Sequence, residues 1–260
     1  MKNRFVVTLV GASALLAAQL AFAVPLAVRR VSRSGGSDSG WIFVVGFLVL
    51  TVAIIALVFY LDRQRSKKIA AAATALGLTF RRKATDADRG LPAGCYLGNL
   101  GHSRVVSNVL QAAQTAELAL TLFDYQYTTG YGKTSSTSQQ TITRIQSPLL
   151  NLPTFLLFPE TFFSKMGKMF GGTDINFPES PAFSEKYILR GSDEAAIRAL
   201  FNPAVREALT PLQRLTIEGG GNLLFIFRAG RRLKPDEFAP RIDEDKRILA
   251  LFFEAQRASG

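Results

Sequence analysis

Residues 41–60 (WIFVVGFLVLTVAIIALVFY) run for twenty positions without a charge, and no other feature limits the fold as strongly. As a helix this run rises about 30 Å, the thickness of a bilayer's hydrocarbon core. Trp41 and Tyr60 stand at its two ends, where amphipathic aromatic rings settle at membrane–water interfaces. The charged stretch DRQRSKK follows at residues 62–68. A globular core seldom needs an uncharged run of this length bounded by such a cluster, so residues 41–60 are read as a transmembrane helix.

The upstream stretch admits two readings. Lys2 and Arg4 precede a mostly apolar segment, and AFA at 21–23 has the form of a signal-peptidase site. Residues 1–28 are therefore a signal peptide cleaved after Ala23 or, since apolar character persists over residues 5–28, a first transmembrane helix. Residues 29–40, rich in Gly and Ser, form a flexible loop.

Both readings give one topology. Uncleaved, the chain sets six basic residues (Lys2, Arg4, Arg63, Arg65, Lys67, Lys68) against three in the loop (Arg29, Arg30, Arg33). Cleaved, the count is four against three, reinforced by Arg81, Arg82 and Lys83. The excess of positive charge marks the cytoplasmic side, so residues 61–260 are expected in the cytoplasm of a cell whose inner membrane holds the helix.

Residues 61–260 read as one α+β domain with an antiparallel sheet and covering helices. A helical stretch over 69–77 continues or hinges from the membrane helix. Strands are expected at 78–82, 104–110 and 116–127, with 111–115 separating the last two, and at 134–145, 152–160, 187–190, 215–218 and 223–228. The Ser/Thr/Gln-rich strand at 134–145 suits a sheet edge, and Ile142 and Ile145 fall on opposite faces, which suggests a bulge or a misread register. Helices are expected at 161–170, where Phe162, Met166, Met169 and Phe170 share a side, at 194–201 with Ser192 as its cap, at 204–209, and at 241–255. The 161–170 helix, with Lys165 and Lys168 on its other side, would also suit a bilayer surface.

Chemistry has little to work with. One Cys and one His exclude a disulfide framework and any zinc site built from several such ligands. His102 with Cys95 or Asp124 is the sole arrangement by composition that a hydrolase could use. Cys95 lies in LPAGCY with no nucleophile motif, and a small cysteine more often packs than reacts. The run GGG at 219–221 joins two strands and lacks the Gly-Lys-Ser/Thr ending of a phosphate loop, while GYGKT at 130–134 has Tyr127 where that motif needs glycine. Asp193-Glu194 and Asp243-Glu244-Asp245 read as helix-start charge. No catalytic, cofactor-binding or metal-binding residue is nominated, and no cofactor is expected.

The net charge is +11, of which residues 65–260 carry +7 (25 Lys/Arg against 18 Asp/Glu), dispersed along the chain. That dispersion does not suit nucleic acid. The densest group adjoins the membrane helix, and Arg228, Arg231, Arg232 and Lys234 form a second basic edge fit for anionic lipid or a protein.

With LTLFDYQY at 120–127, LPTFLLFPE at 152–160, FSEKYILRG at 183–191 and GGGN at 219–222, the chain resembles a group of uncharacterised bacterial membrane-anchored proteins over residues 65–257. The resemblance implies bacterial membrane residence and carries no activity. The sequence thus points to a non-catalytic domain that binds the lipid bilayer surface or an unidentified membrane or cytoplasmic protein. A membrane-anchored hydrolase using His102 with Cys95 or Asp124 is the alternative.

Overall fold

The computed structural model describes residues 40–92, 94–162 and 173–259. The signal or first-helix reading, the loop that follows it, and the Phe/Met helix from residue 163 onward lie outside the described residues.

The helix does not end with the apolar run. Helix α1 (Gly40–Ala75) is a single element of 36 residues, about 54 Å long. Its Ala-rich end, residues 70–75, has the propensity to continue a helix without a break. None of residues 41–60 is buried and most are exposed, whereas Ser66, Ile69 and Ala73 are buried against the sheet. One helix is thus both an apolar segment long enough to cross a membrane and part of a folded core.

Among the described residues nine strands form one antiparallel sheet: β1 (Thr79–Lys83), β2 (His102–Gln114), β3 (Ala119–Thr129), β4 (Ser136–Gln146), β5 (Leu152–Pro159), β6 (Thr173–Asp174), β7 (Tyr187–Gly191), β8 (Thr216–Gly221) and β9 (Leu223–Phe227). Their order is β1-β2-β3-β4-β9-β8-β5-β7-β6. Two short helices follow β1, α2 (Asp86–Arg89) and α3 (Tyr96–Asn99). The remaining helices are α4 (Pro181–Lys186), α5 (Glu194–Leu200), α6 (Pro203–Leu209) and α7 (Phe238–Ser259).

The main core lies between one sheet face and the end of α1 with α4 to α7, and includes Ile69, Leu122, Phe155, Ile197, Leu209, Ile226 and Phe252. Phe155 meets Phe201 edge-on at 5.0 Å, and Phe201 meets Phe252 at 5.6 Å, the tilted arrangements that aromatic rings favour. Gly219 makes room for this group: a Cβ there would lie 2.4 Å from the Phe155 ring. The glycine run is therefore part strand and part turn, with the left-handed backbone at Gly221 (φ +57°). A second cluster on the opposite face places Tyr96, Leu97 and Leu100 over Val109, Phe123, Tyr125, Ile142 and Phe225.

Several expectations are corrected. β4 is interior, paired to β3 and β9 without a bulge, and its two faces are both buried. Ile145 enters the main core and Ile142 the second one, so opposite faces for these residues follow from burial on both sides. β2 carries bulges and extends through Gln114, so that the turn falls after residue 114, and the β5–β8 pairing shifts register between Leu152 and Phe155. The α5 cap is Asp193, whose side chain accepts from the Ala196 N–H, and not Ser192. Helix α7 begins at Phe238, and Glu244 and Asp245 pair with Arg228 and Arg241 instead of decorating a helix start.

Candidate functional site

The joint between α1 and the sheet is built from buried polar groups. Asp124 lies on the same face of β3 as Leu120 and Leu122, where an isolated carboxylate would be costly. It is satisfied four times. Arg65 of α1 donates to both its oxygens at 2.9 and 3.0 Å, Thr141 Oγ1 donates at 2.8 Å and Asn108 Nδ2 at 3.0 Å. Asn108 also accepts from Ser66 Oγ at 2.8 Å. Its backbone is left-handed (φ 51°) within a bulge between Ser107 and Leu110, a conformation that asparagine tolerates better than most residues. The bulge thereby turns a polar side chain toward α1.

The joint also fixes direction. Arg65 stands level with Asp124, and Asp62 pairs with Arg82 of β1 at 3.2 Å. The helix ends at Ala75, and Thr79 soon afterward pairs with Gln111, itself opposite Thr121. Helix α1 therefore runs from the Asp124 level toward Thr121. Its apolar end leaves on the opposite heading, past the Tyr125 to Thr129 half of β3.

Antiparallel register assigns a definite set of residues to that same end of the sheet. They include Lys83 closing β1, Arg104 opening β2, Lys133 in the β3–β4 hairpin, Arg214 before β8, and Arg228, Arg231 and Arg232 after β9. Charges dispersed in sequence are gathered in space. Several are paired there: Arg228 with Glu244 at 2.8 Å and Arg231 with Glu237 at 2.6 Å. Arg232 is partly buried, and burial followed by the adjacent Arg65 guanidinium pulls it below the ordinary arginine value.

The residues of the hydrolase alternative are engaged separately. His102 stacks on Tyr131 with ring centroids 4.7 Å apart and contacts the Gly130 carbonyl through Nε2 at 2.9 Å and Ser103 Oγ through Nδ1 at 3.1 Å. Its strand partner is Thr128, four residues along β3 from Asp124 and so about 13 Å away. Cys95 caps α3, its sulfur accepting from the Gly98 N–H at 3.1 Å. Burial, then the nearby Glu218 carboxylate, pushes its thiol up to about 11. His102 therefore hydrogen-bonds neither Cys95 nor Asp124. Among the described residues, no three His, Cys, Asp or Glu side chains gather where they could hold a metal ion.

Glu218 of β8 was not nominated from the sequence. It is buried and accepts the Tyr96 and Leu97 N–H groups, while Tyr125 Oη donates to the Leu97 carbonyl at 2.7 Å. Burial pushes its carboxyl up to about 7 despite those donors. This clasp holds the segment 95–100 on the sheet. An acidic residue within a strand of otherwise buried neighbours was its only signal in the sequence.

No family model and no curated protein matches the chain. Among solved structures the chain is similar to the crystal structure of the mycobacterial trehalose monomycolate transport factor A, TtfA. The TM-score is 0.46 at 10% sequence identity, covering 75% of this chain and 96% of that one.

Proposed function

We propose that the protein is a non-catalytic, membrane-anchored domain that engages the surface of its own bilayer, on the cytoplasmic face of a bacterial inner membrane. The observation that carries this reading is the continuity of α1 into the core, pinned by Arg65 and Asp124, with basic strand ends gathered where the apolar helix departs. A flexible tether would let the domain wander. A continuous helix presents one end of the sheet to the lipid.

The β3–β4 hairpin fits that end. From Asp124 to Thr129 β3 advances about 17 Å, while α1 needs only about 8 Å to go from Arg65 back to Tyr60. The hairpin is thus long enough to cross the headgroup layer even when tilted from the helix axis, and its tip carries exposed Tyr131 and Lys133 among Ser, Thr and Gly. Aromatic and basic side chains suit that layer, and a polar tip suits it better than hydrocarbon.

The test is hydrogen exchange on the full chain in lipid nanodiscs. Amides of residues 128–136 should gain protection when phosphatidylglycerol replaces part of the phosphatidylcholine; indifference to anionic lipid would count against the reading. Orientation is tested apart from this, since a carboxy-terminal green fluorescent protein fusion should fluoresce and an alkaline phosphatase fusion should be inactive. A protein partner is the second reading, favoured by an open groove between α6 and α7 lined by Ala208, Leu212, Ile248 and Leu251. Leu251→Glu should then abolish co-purification of that partner in mild detergent.

A further inference from the structure

We infer that Arg232 is the seat for the phosphodiester headgroup of one anionic phospholipid, bound where the membrane helix meets the sheet. This rests on the bilayer-surface reading and names the lipid chemistry it uses.

Backbone contacts fix where Arg232 sits. The Thr141 N–H donates to the Arg231 carbonyl at 3.0 Å, and the Leu233 N–H donates to Thr141 Oγ1 at 2.9 Å, the same hydroxyl that bonds Asp124. Arg232, between those two anchors, is held over the joint and feels the charges of Arg65, Asp124 and Asp62. Asp124 is bound by Arg65, and Asp62 is bound by Arg82. Three guanidiniums thus face two carboxylates, and the uncompensated one is Arg232, which forms no hydrogen bond or ion pair among the described residues.

A partly buried cation beside another cation is a standing cost unless an anion arrives. The guanidinium fork matches two oxygens of a phosphate. Depth agrees as well. Asp62 and Arg65 lie two and five residues past Tyr60, about 3 to 8 Å beyond the end of the apolar run. A bilayer's polar layer is about 5 to 8 Å thick on each side. The seat is therefore at phosphate level, and its single excess charge favours a headgroup with net charge −1 over a zwitterionic one.

Native mass spectrometry of the full chain, released from nanodiscs of phosphatidylglycerol and phosphatidylcholine, reads the site directly. Wild type should retain one phosphatidylglycerol. Arg232→Gln should lower that retention about tenfold, the size of losing one charge-assisted contact. Arg231→Gln, which removes a residue already paired to Glu237, should leave it unchanged, and Arg232→Lys should retain part. Because Arg232→Gln removes a repulsion, its Tm in lipid-free detergent should equal or exceed that of wild type; a lower Tm would contradict the unpaired state on which the inference depends. Excess inorganic phosphate should displace nothing, and displacement would overturn the lipid assignment in favour of a free anion. If Arg232→Gln retains lipid like wild type while residues 128–136 still respond to phosphatidylglycerol, the seat is wrong and the surface reading stands. If neither responds, both fail.

Discussion

Arg65 and Asp124, 59 residues apart in the chain, form a two-bond ion pair that joins the long apolar helix α1 to the third strand of the sheet. Their side chains are only 17% and 7% exposed, so water screens the pair weakly. Arg65→Gln would leave the Asp124 carboxylate with only Thr141 and Asn108 as donors. Stranding a buried charge in this way costs on the order of 3 kcal/mol, which for a domain of this size lowers Tm by about 6 to 12 °C. Adding Asp124→Asn should recover part of that loss. Thermal unfolding of the full chain in detergent checks both, and an unchanged Tm for Arg65→Gln would contradict the joint.

Glu218 predicts a pH dependence. Its carboxyl is raised from 4.5 to about 7 in the folded chain, so between those values the folded state keeps a proton that the unfolded state has lost. The group's contribution is complete below pH 4.5 and falls as pH rises to 7. About 2.5 units correspond to roughly 3 kcal/mol. Glu218→Gln carries no such charge, so the Tm of the variant relative to wild type should be higher at pH 8 than at pH 5. A constant difference would mean that the clasp does not hold a proton.

Cys95 should behave as packing. With its thiol raised from 9.0 to about 11, the thiolate fraction near pH 8 is about a hundredfold below that of an unshifted cysteine. Alkylation by iodoacetamide should be slowed at least in that proportion. A rate like that of a free thiol would reopen the hydrolase alternative.

What was legible in the sequence was local. The run from Trp41 to Tyr60 and the hairpin around Gly221 and Asn222 depend on neighbours alone. The register of β4 was not, because a Ser/Thr/Gln-rich strand reads as an edge until its long-range partner β9 is known. Asp124 gave a partial signal, since a carboxylate between Leu122 and Gln126 on an inner face demands a cationic partner. Which arginine answers depends on the Asn108 bulge, which has no periodic signature, although the helix continuing past Tyr60 was legible in the Ala-rich stretch over 69–77. The gathering of Lys83, Arg104, Lys133 and Arg232 is a property of strand direction, invisible in a charge count.

The most direct test of the central claim is the orientation of the sheet against the bilayer. In a Cys95→Ala background, a fluorophore is placed at Tyr131→Cys or at Glu117→Cys, in nanodiscs containing headgroup-quencher lipid. These positions flank opposite ends of β3, whose Ala119–Thr129 span is about 34 Å long. Strong quenching at residue 131 with little at residue 117 is the predicted result. Equal quenching at both, or the reverse order, would contradict a membrane helix that holds the basic end of the sheet against the lipid.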